Sequence, residues 1–469
     1  MNNCSLLRVP CSKGRQSDGD GQSYKPPVRI SIPVNTVILG GGLTGIALAR
    51  QLHQAGERVQ VLEAEETTGG LCRSREKAGF TFDTGGSHII FSRDLEVLRF
   101  MHSVLGKNLE KRDRHTRILY KGRLVPYPFE NGLYMLPKED LFFCISEFVK
   151  NLILAEKGEL PPPANFRDWI YHTFGKGIAE LYMVPYNEKI WNFPTDKMSS
   201  HWVEGRVPRP PVEDVIKSAI GIETEGYIHQ AVFSYPLEGG IQALIRALES
   251  GIEDLITCGF RVRKIAREDG MWQISDGDRT VAADRLISCM PLQELVAALD
   301  GVPEPVRSAV ASLRYNSIRC VFIGMKGAVP PISWLYIPDR ETGLENRISF
   351  PSNYSPRVAP EGCSAILAEI TYNEGDAVSA MTDEEIISHV IESLDQMGFA
   401  RPGDVIYSGT ERHKYAYVVY DLDYLENIAT IKEYCRYRQI SLVGRFSQFE
   451  YLNMDGCIRS VLDFMQGDL

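Results

Sequence analysis

One short segment limits what this chain can fold into more than any other. An apolar run ends in the pattern Gly-x-Gly-x-x-Gly, at Gly40, Gly42 and Gly45, and a helical pattern over residues 46–55 follows at once. In a strand–turn–helix unit the first glycine permits the tight turn, the second lets the backbone approach a pyrophosphate, and the third lets helix and strand pack closely. The N–H groups at the start of the helix attract phosphate. The segment therefore predicts a dinucleotide-binding unit.

An acidic residue and a second glycine pair narrow the choice of dinucleotide. The apolar run 59–62 ends at Glu63, about twenty residues past the glycines, where a carboxylate accepts the ribose hydroxyls and repels the 2′-phosphate of NADP. Gly69 and Gly70 follow, and Arg73 comes shortly after them. A second glycine pair with a basic residue suits a larger cofactor that lies extended across the domain. This favours FAD over NAD.

The composition limits the class of partner. The 469 residues carry a formal net charge of −10, which argues against binding nucleic acid or an anionic membrane. The ten cysteines form no Cys-x-x-Cys pair and no zinc-like spacing with histidine, so we expect reduced thiols and no metal site. No apolar run reaches the ~20 residues of a membrane span. The first 33 residues lack the apolar core of a signal peptide, and we expect a disordered tail on a cytoplasmic protein.

The hydrophobic pattern predicts the order of elements along the chain. We expect a hairpin over 117–128, helices over 137–183 broken by the prolines 161–163, an irregular loop over 185–211, and a helix over 382–397. Asp455 is expected to cap the last helix, whose positive end would then face the isoalloxazine of a flavin.

These elements predict an α/β protein with a Rossmann-like FAD-binding domain, an inserted helical subdomain and an antiparallel β-sheet substrate domain. The flavin domain would be assembled from distant pieces of the chain. The predicted division is a tail (1–33), the first part of the FAD-binding domain (34–115), the substrate hairpin and helical subdomain (116–235), the second part of the FAD-binding domain (236–300), the β-sheet substrate domain (301–405) and the C-terminal part of the FAD-binding domain (406–469).

Several longer motifs run through the chain. They are Val-Pro-Tyr-Pro-Phe-Glu-Asn at 125–131, Pro-Tyr-Asn-Glu-Lys-Ile-Trp at 185–191, Pro-Thr-Asp-Lys-Met at 194–198, Glu-Gly-Arg-Val at 204–207, Trp-Leu-Tyr at 334–336, the run from Arg to Pro at 347–356, and Gly-Arg-Phe at 444–446 followed by Tyr451. Together they resemble the UDP-galactopyranose mutase family, its eukaryotic branch in particular, over residues 36–462. That family lies within the superfamily of FAD-dependent amine oxidases and protoporphyrinogen oxidases, so the resemblance implies a flavin domain of the GR2 type.

The resemblance implies a reaction. The family interconverts UDP-galactopyranose and UDP-galactofuranose without net redox change, and it uses reduced FAD as a covalent catalyst. Flavin N5 bonds to the sugar C1 while UDP leaves, and the sugar ring recloses in its other form before UDP returns. A UDP-sugar is then the small-molecule partner. The resemblance also allows NAD(P)H as the reductant of the flavin, and a homo-oligomeric assembly.

The resemblance assigns roles to individual residues. The catalytic set, which clamps the diphosphate and stands beside the flavin, is His88, Arg206, Arg347, Tyr417 and Tyr451. The substrate set, on the uridine and sugar side, is Tyr127, Phe129, Glu130, Asn187, Trp191 and Tyr336. The cofactor set is Gly40, Gly42, Thr44, Gly45, Glu63, Gly70, Leu71, Arg73, Gly86, Ser87, Val262, Gly444, Arg445, Asn453 and Asp455. Glu130 stands where the family has glutamine, which leaves the base and the sugar open.

Three functions stay open on the sequence. A nucleotide-sugar mutase is favoured, because paired arginines and tyrosines suit an anionic diphosphate. An FAD-dependent oxidoreductase of the amine oxidase or protoporphyrinogen oxidase kind shares the fold, but it would be expected to have an apolar or aromatic-cage pocket instead of that clamp. A flavin-bound but catalytically silent binding protein is the third, and loss of the clamp would favour it.

Overall fold

The computed structural model describes residues 34–203, 206, 207, 209–222, 224 and 232–467. The predicted tail and two residues of one motif, Glu204 and Gly205, lie outside these ranges. The strands are β1 (Val34–Leu39), β2 (Val59–Leu62), β3 (Ser74–Lys77), β4 (Phe80–Asp83), β5 (Glu110–Asp113), β6 (Thr116–Tyr120), β7 (Arg123–Pro126), β8 (Val232–Tyr235), β9 (Ile256–Thr257), β10 (Lys264–Glu268), β11 (Met271–Ser275), β12 (Thr280–Ser288), β13 (Arg314–Lys326), β14 (Trp334–Tyr336), β15 (Arg347–Ser349), β16 (Cys363–Tyr372), β17 (Val405–Val419) and β18 (Ile440–Leu442).

The helices alternate with these strands. They are α1 (Leu43–Gln54), α2 (Leu95–Leu105), α3 (Lys138–Glu156), α4 (Phe166–Ile178), α5 (Val184–Trp191), α6 (Val212–Ala219), α7 (Gln242–Glu249), α8 (Leu292–Ala298), α9 (Glu304–Ser312), α10 (Ala377–Ala380), α11 (Asp383–Gln396), α12 (Tyr424–Tyr437) and α13 (Met454–Gln466). A π turn, Ala179–Met183, joins α4 to α5. Among the described residues, every helix is too short or too polar to cross a membrane.

The first sheet contains the predicted dinucleotide unit. Strands β9, β2, β1 and β12 are neighbours and run parallel, β18 adds to β12 in parallel, and β11 and β10 continue antiparallel. Val37, Ile38 and Leu39 of β1 are fully buried, because parallel strands are covered on both faces. Helix α1 follows β1 as predicted. The α/β class and the Rossmann-like unit are therefore confirmed.

The second sheet presents one face to the glycine loops of the first sheet and one to α11. Its order is β17-β13-β16-β15-β14-β6-β7, and only the β14–β6 pair is parallel. Side chains alternate across it: those of Val321, Leu335, Ile348 and Ala368 pack with α11, while Tyr336, Arg347 and Glu369 are directed to the other face. Helix α11 lies where the sequence predicted a helix, and it begins at a capping box between Thr382 and Glu385.

Several local predictions are confirmed. The hairpin β6–β7 turns at Lys121 and Gly122, which both have positive φ. The helical stretch 137–183 forms α3, α4 and the π turn, with the break at the prolines. The division into domains stays a prediction. Strand β17, which spans the predicted boundary between residues 405 and 406, pairs with β13 in the second sheet.

Two local predictions are wrong. Residues from 185 were expected to be irregular, but α5 extends to Trp191, because Pro185 stands in the first turn, where a missing N–H costs no helical hydrogen bond. Asp455 was expected to cap the last helix, but α13 begins at Met454 with Asn453 as its N-cap residue. The Asp455 carboxylate instead accepts a hydrogen bond from Ser92 Oγ at 2.8 Å.

Candidate functional site

A cavity of about 1230 Å³ lies where the two sheets meet. Gly40 and Glu63, at the carboxyl ends of β1 and β2, line it on one side, and Tyr336 and Arg347 of the second sheet line it on the other. Ligands of doubly wound sheets bind outside such carboxyl ends. The cavity therefore joins the predicted cofactor loop to the predicted substrate residues.

The three fingerprint glycines differ in their surroundings. A Cβ on Gly45 would lie 1.9 Å from the carbonyl oxygen of Gly40, so no other residue fits between helix and turn. Gly40 has φ +99°, which favours glycine. A Cβ on Gly42 would meet no described atom within 4 Å, because this position opens onto the cavity at the start of α1. A phosphate can thus approach the backbone at Gly42 and the N-terminus of α1.

The predicted ribose carboxylate is held in place by the backbone. Glu63 is nearly buried, and its Oε2 accepts a hydrogen bond from the N–H of Gly41 at 2.6 Å while its Oε1 accepts one from Glu65 at 2.9 Å. Val262, expected in the cofactor set, also lines this end of the cavity. Glu63 is therefore fixed beside the glycine turn, as a ribose ligand would require.

The second glycine loop packs directly on the first. The N–H of Gly69 donates to Gly41 O at 2.8 Å, and a Cβ on Gly70 would lie 3.4 Å from the Cα of Gly42. Arg73 Nε donates to Gly70 O at 3.0 Å, which turns its guanidinium along the cavity. The two glycine loops thus pack together and line the cavity side by side.

The C-terminal turn closes the same region. A Cβ on Gly444 would lie 2.4 Å from Thr44 Oγ1, so this glycine permits the turn to contact α1. Arg445 Nη1 donates to Leu452 O at 2.7 Å, and its Nη2 donates to Ala416 O. The guanidinium is therefore bound to backbone carbonyls at the cavity wall.

His88 is a neutral imidazole at the cavity. Its Nδ1 lies 2.8 Å from Gly86 O, and since a carbonyl only accepts, Nδ1 is the protonated nitrogen. Burial lowers the pKa of His88 to about 4. At neutral pH the other nitrogen, Nε2, therefore carries a lone pair and can accept a hydrogen bond.

Arg347 is fixed by a fully buried carboxylate that the sequence analysis missed. Its Nε lies 2.8 Å from Glu369 Oε1, and its Nη2 lies 2.7 Å from Glu369 Oε2. Glu369 Oε1 also accepts the N–H of Ser87 at 3.0 Å. Burial lowers the pKa of Arg347, but the facing Glu369 raises it, and the result is well above the ordinary value. The guanidinium thus remains a permanent cation at the cavity wall.

Two tyrosines and a tryptophan pack beside these arginines. The rings of Tyr417 and Tyr451 lie 5.7 Å apart, and Trp191 contacts both, at 5.9 and 5.3 Å. The guanidinium carbons of Arg206 and Arg445 lie 5.0 and 4.7 Å from the centre of the Tyr451 ring. Burial raises the pKa of Tyr417, so its hydroxyl stays protonated and can donate.

Aromatic rings form the remaining wall. Phe129 stacks on Tyr182 at 4.8 Å, Tyr182 stacks on Tyr186 at 5.4 Å, and Tyr186 contacts Tyr336 at 5.1 Å. Tyr336 then contacts Tyr127 at 5.2 Å. Tyr182 ends up on this wall because the π turn sets it against Tyr186. A planar group could stack against this wall.

Most predicted residues come together in this cavity. All of the catalytic and substrate sets line it, and so does the cofactor set except Gly86 and Gly444, which lie behind the lining. The Asn187 amide also makes contacts within the protein: its Oδ1 accepts from Trp191 Nε1 at 3.2 Å and its Nδ2 donates to Met183 O at 2.7 Å. Its amide therefore supports the tryptophan.

Several residues that line the cavity lie outside the predicted sets. They include Arg114, Tyr182, Tyr186 and Glu369. Tyr186 stands inside the quoted Pro-Tyr-Asn motif, which could have found it. The guanidinium carbon of Arg114 lies 5.0 and 4.7 Å from the centres of the Tyr127 and Trp334 rings. The sequence alone did not indicate that these residues meet. Within the described ranges, no group of three His, Cys, Asp or Glu side chains is placed to hold a metal ion.

The profile of one protein family, described as flavin containing amine oxidoreductase, matches residues 43–460. The chain belongs to that family. The family supports FAD as the cofactor, and the open backbone at Gly42 and the fixed carboxylate of Glu63 fit its pyrophosphate and ribose.

Among curated relatives, a human protoporphyrinogen oxidase is 24% identical over 340 residues, which cover 63% of this chain and 68% of that protein. Polyamine oxidase 4 of Oryza sativa subsp. japonica is 25% identical over 60% of this chain and 57% of its own length. The match to all-trans-retinol 13,14-reductase of Rattus norvegicus, 37% identical, covers only 16% of this chain and 12% of the reductase. The matched segments thus span from about an eighth to about two thirds of these relatives.

Two solved structures are similar over almost the whole chain. A reduced UDP-galactopyranose mutase is 27% identical with a TM-score of 0.84, over 92% of this chain and 96% of that one. A putative protoporphyrinogen oxidase from Exiguobacterium sp. 255-15 is 20% identical with a TM-score of 0.73, over 93% and 99%. The second likeness is one of fold.

Proposed function

We propose that this chain is a flavin-dependent nucleotide-sugar mutase that interconverts UDP-galactopyranose and UDP-galactofuranose, or a closely related pair. The observation that carries the proposal is the cation at the cavity wall: Arg347, fixed in two hydrogen bonds by the buried Glu369. The likeness to a reduced UDP-galactopyranose mutase supports the same reaction.

The charged residues suit a diphosphate that leaves and returns. Arg347 is held in place before any ligand arrives, which lowers the entropy that binding must lose. Arg206 is exposed and packs over Tyr451, so it can move onto a bound ligand from the mouth of the cavity. Two guanidinium groups then offset the charge of a departing UDP, and the Tyr417 hydroxyl donates a hydrogen bond to it.

The flavin end of the cavity suits the sugar. When FAD is bound and reduced, it supplies the nucleophile for such a reaction at N5. His88 presents a neutral Nε2 acceptor on the same loop as Ser87, and Glu369 holds that loop through the Ser87 N–H. The residues that bind the diphosphate and those beside the flavin are therefore joined through one carboxylate.

An FAD-dependent oxidoreductase is the second candidate. The polyamine oxidase and protoporphyrinogen oxidase relatives favour it, as does the name of the family. The aromatic wall from Phe129 to Tyr127 would suit an apolar substrate. A fixed cation at the wall repels an amine and has no partner on an apolar substrate, and we therefore place this function second.

Titration of the flavin spectrum with nucleotides tests the proposal. UDP is expected to change the absorbance of the bound flavin with saturation, because the diphosphate site adjoins the cofactor. Uridine, which lacks phosphate, serves as the control and is expected to bind far more weakly. Spectral changes on adding amines or porphyrinogens, with none on adding UDP, would favour the oxidoreductase instead.

A further inference from the structure

Two buried ionisable side chains, Lys189 and Glu345, lie behind the cavity, outside its lining. The Lys189 side chain belongs to α5 and is 2% exposed, and Glu345, two residues before Arg347, is 0% exposed. Burying a charge is costly unless it is paired and hydrogen-bonded. Neither residue has a role in the proposed reaction, so their burial calls for a separate explanation.

Two opposite faces of helix α5 make different contacts: one lines the cavity, and the other faces the loop 337–346. Asn187 and Trp191 stand four residues apart and share the face that lines the cavity. Lys189 lies midway between them and therefore points away from the cavity. Its Nζ donates to Asp339 O at 2.9 Å and to Gly343 O at 2.8 Å. The ammonium thus binds two carbonyls of the loop 337–346.

That loop connects two residues of the site. Tyr336 ends β14 and Arg347 begins β15, and the two are paired across the strands at the base of the loop. The base is closed by the N–H of Ile337, which donates to Asn346 O at 3.1 Å. The Lys189 ammonium group binds two carbonyls of this loop that lie four residues apart in the sequence, and it so connects the loop to α5.

We infer that Lys189 is a positioning residue of the cavity, which pins the loop 337–346 to α5 and so fixes Tyr336 and Arg347 against the face that carries Trp191. The inference rests on the proposed function in taking Tyr336 and Arg347 as substrate contacts. The connection between loop and helix can be measured without substrate.

The charges around Lys189 agree with this role. Burial lowers the pKa of Lys189 to about 7, and Glu345 acts in the opposite direction, with a smaller share from Asp339, while Arg340 lowers the pKa further. On the side of α11, His389 Nε2 accepts the N–H of Leu344 at 3.1 Å and lies 3.9 Å from Glu345 Oε2. Burial raises the pKa of Glu345, and the Lys189 Nζ is held by the two loop carbonyls, not by that carboxylate.

The test compares two full-length variants with bound FAD. Lys189→Met keeps the length and the burial of the side chain but removes its charge and its donors. Thr371→Val is the matched control, because the Thr371 hydroxyl donates to the carbonyl of the same Lys189 at 2.9 Å and not to the loop. The Thr371 N–H, which donates to Asn346 Oδ1 at 3.3 Å, is kept in valine. Deuterium uptake of the peptide 337–346 and the kinetic constants with UDP-galactofuranose are measured for both.

In Lys189→Met we expect faster exchange over 337–346, normal exchange over 184–191, normal FAD content, and a kcat that falls roughly 100-fold, as misplaced groups cause. Thr371→Val should change neither the loop exchange nor kcat. Unchanged loop exchange in a folded Lys189→Met protein would overturn the inference. If that variant does not fold, Lys189→Met/Glu345→Met removes both charges, and the same comparison applies. A wild-type protein that converts no UDP-sugar would refute the proposed function, and loop exchange alone would then decide the role of Lys189.

Discussion

Arg347 and Glu369 face each other across neighbouring strands and form a two-pronged ion pair, with distances of 2.8 and 2.7 Å. The carboxylate is 0% exposed, while the Arg347 side chain is 21% exposed. One edge of the guanidinium is therefore bound to the buried carboxylate, and the other edge faces the cavity. The same carboxylate holds the Ser87 N–H, one residue before His88.

The ion pair predicts the effect of Glu369→Gln. The substitution keeps the shape but leaves Arg347 without its counter-charge, and losing one partner of a buried pair costs up to about 3 kcal/mol at a partly exposed site. Thermal unfolding should show this loss, and the affinity for UDP should fall with it. Glu411→Gln is the control, because its partner Arg75 is 60% exposed and such pairs contribute about 0–1 kcal/mol. Equal effects of the two substitutions would refute the role of Glu369.

Removal of Arg347 should separate catalysis from cofactor binding. Arg347→Ala is expected to abolish turnover and UDP binding while the flavin remains bound, because the cofactor wall lies on the other sheet. Arg347→Ala alone leaves the buried Glu369 carboxylate without a counter-charge. The double variant Arg347→Ala/Glu369→Gln removes that unpaired charge, so it should unfold at a higher temperature than Arg347→Ala yet stay inactive. Turnover like the wild type in either variant would contradict the clamp.

Alanine substitutions at two glycines of the first loop should have opposite effects on folding. Gly42→Ala meets no described atom within 4 Å and has φ −73°, so the apoprotein should fold normally, but the methyl group would occupy the phosphate approach and FAD content should drop. Gly45→Ala would place its methyl 1.9 Å from Gly40 O and should prevent stable folding. Circular dichroism and flavin absorbance measure both. Full FAD content in Gly42→Ala would place the pyrophosphate elsewhere.

Buried histidines predict a loss of stability in acid. Burial lowers the pKa of His88 and of His413 from 6.5 to about 4, so the unfolded state binds more protons than the folded state between these values. The free energy of unfolding should therefore fall as the pH drops from 6.5 to 4. Burial raises the pKa of Asp83 to about 6, which opposes this trend below pH 6.

Urea unfolding at several pH values measures the balance. His413→Asn removes one of the two histidines without touching His88, whose Nδ1 stays on Gly86 O. The variant should lose stability less steeply in acid than the wild type. An identical slope would mean that His413 titrates normally.

The sequence predicted those parts of the fold and site that depend on short segments. Gly40, Gly42 and Gly45 set a turn through their own backbone, and the amphipathic pattern of residues 382–397 matches helix α11. The motif residues of the second sheet line the same cavity as the glycine loops of the first sheet, as expected, although their roles stay predictions.

Contacts between distant strands could not be predicted in this way. Glu369 is 22 residues from Arg347, and only the register of β15 and β16 brings the two together. Tyr182 lies on the aromatic wall because of a π turn, and no local sequence pattern predicts that turn. Asn453 replaces Asp455 at the start of α13, because either residue type suits a cap and tertiary contacts decide between them.

The central claim is tested most directly by anaerobic incubation of the purified, flavin-loaded protein with UDP-galactofuranose, with and without dithionite, followed by chromatography of the products. We predict conversion to UDP-galactopyranose only after reduction, because oxidised flavin offers no nucleophile. Absence of conversion by the reduced protein, or equal conversion in air without reductant, would contradict the account.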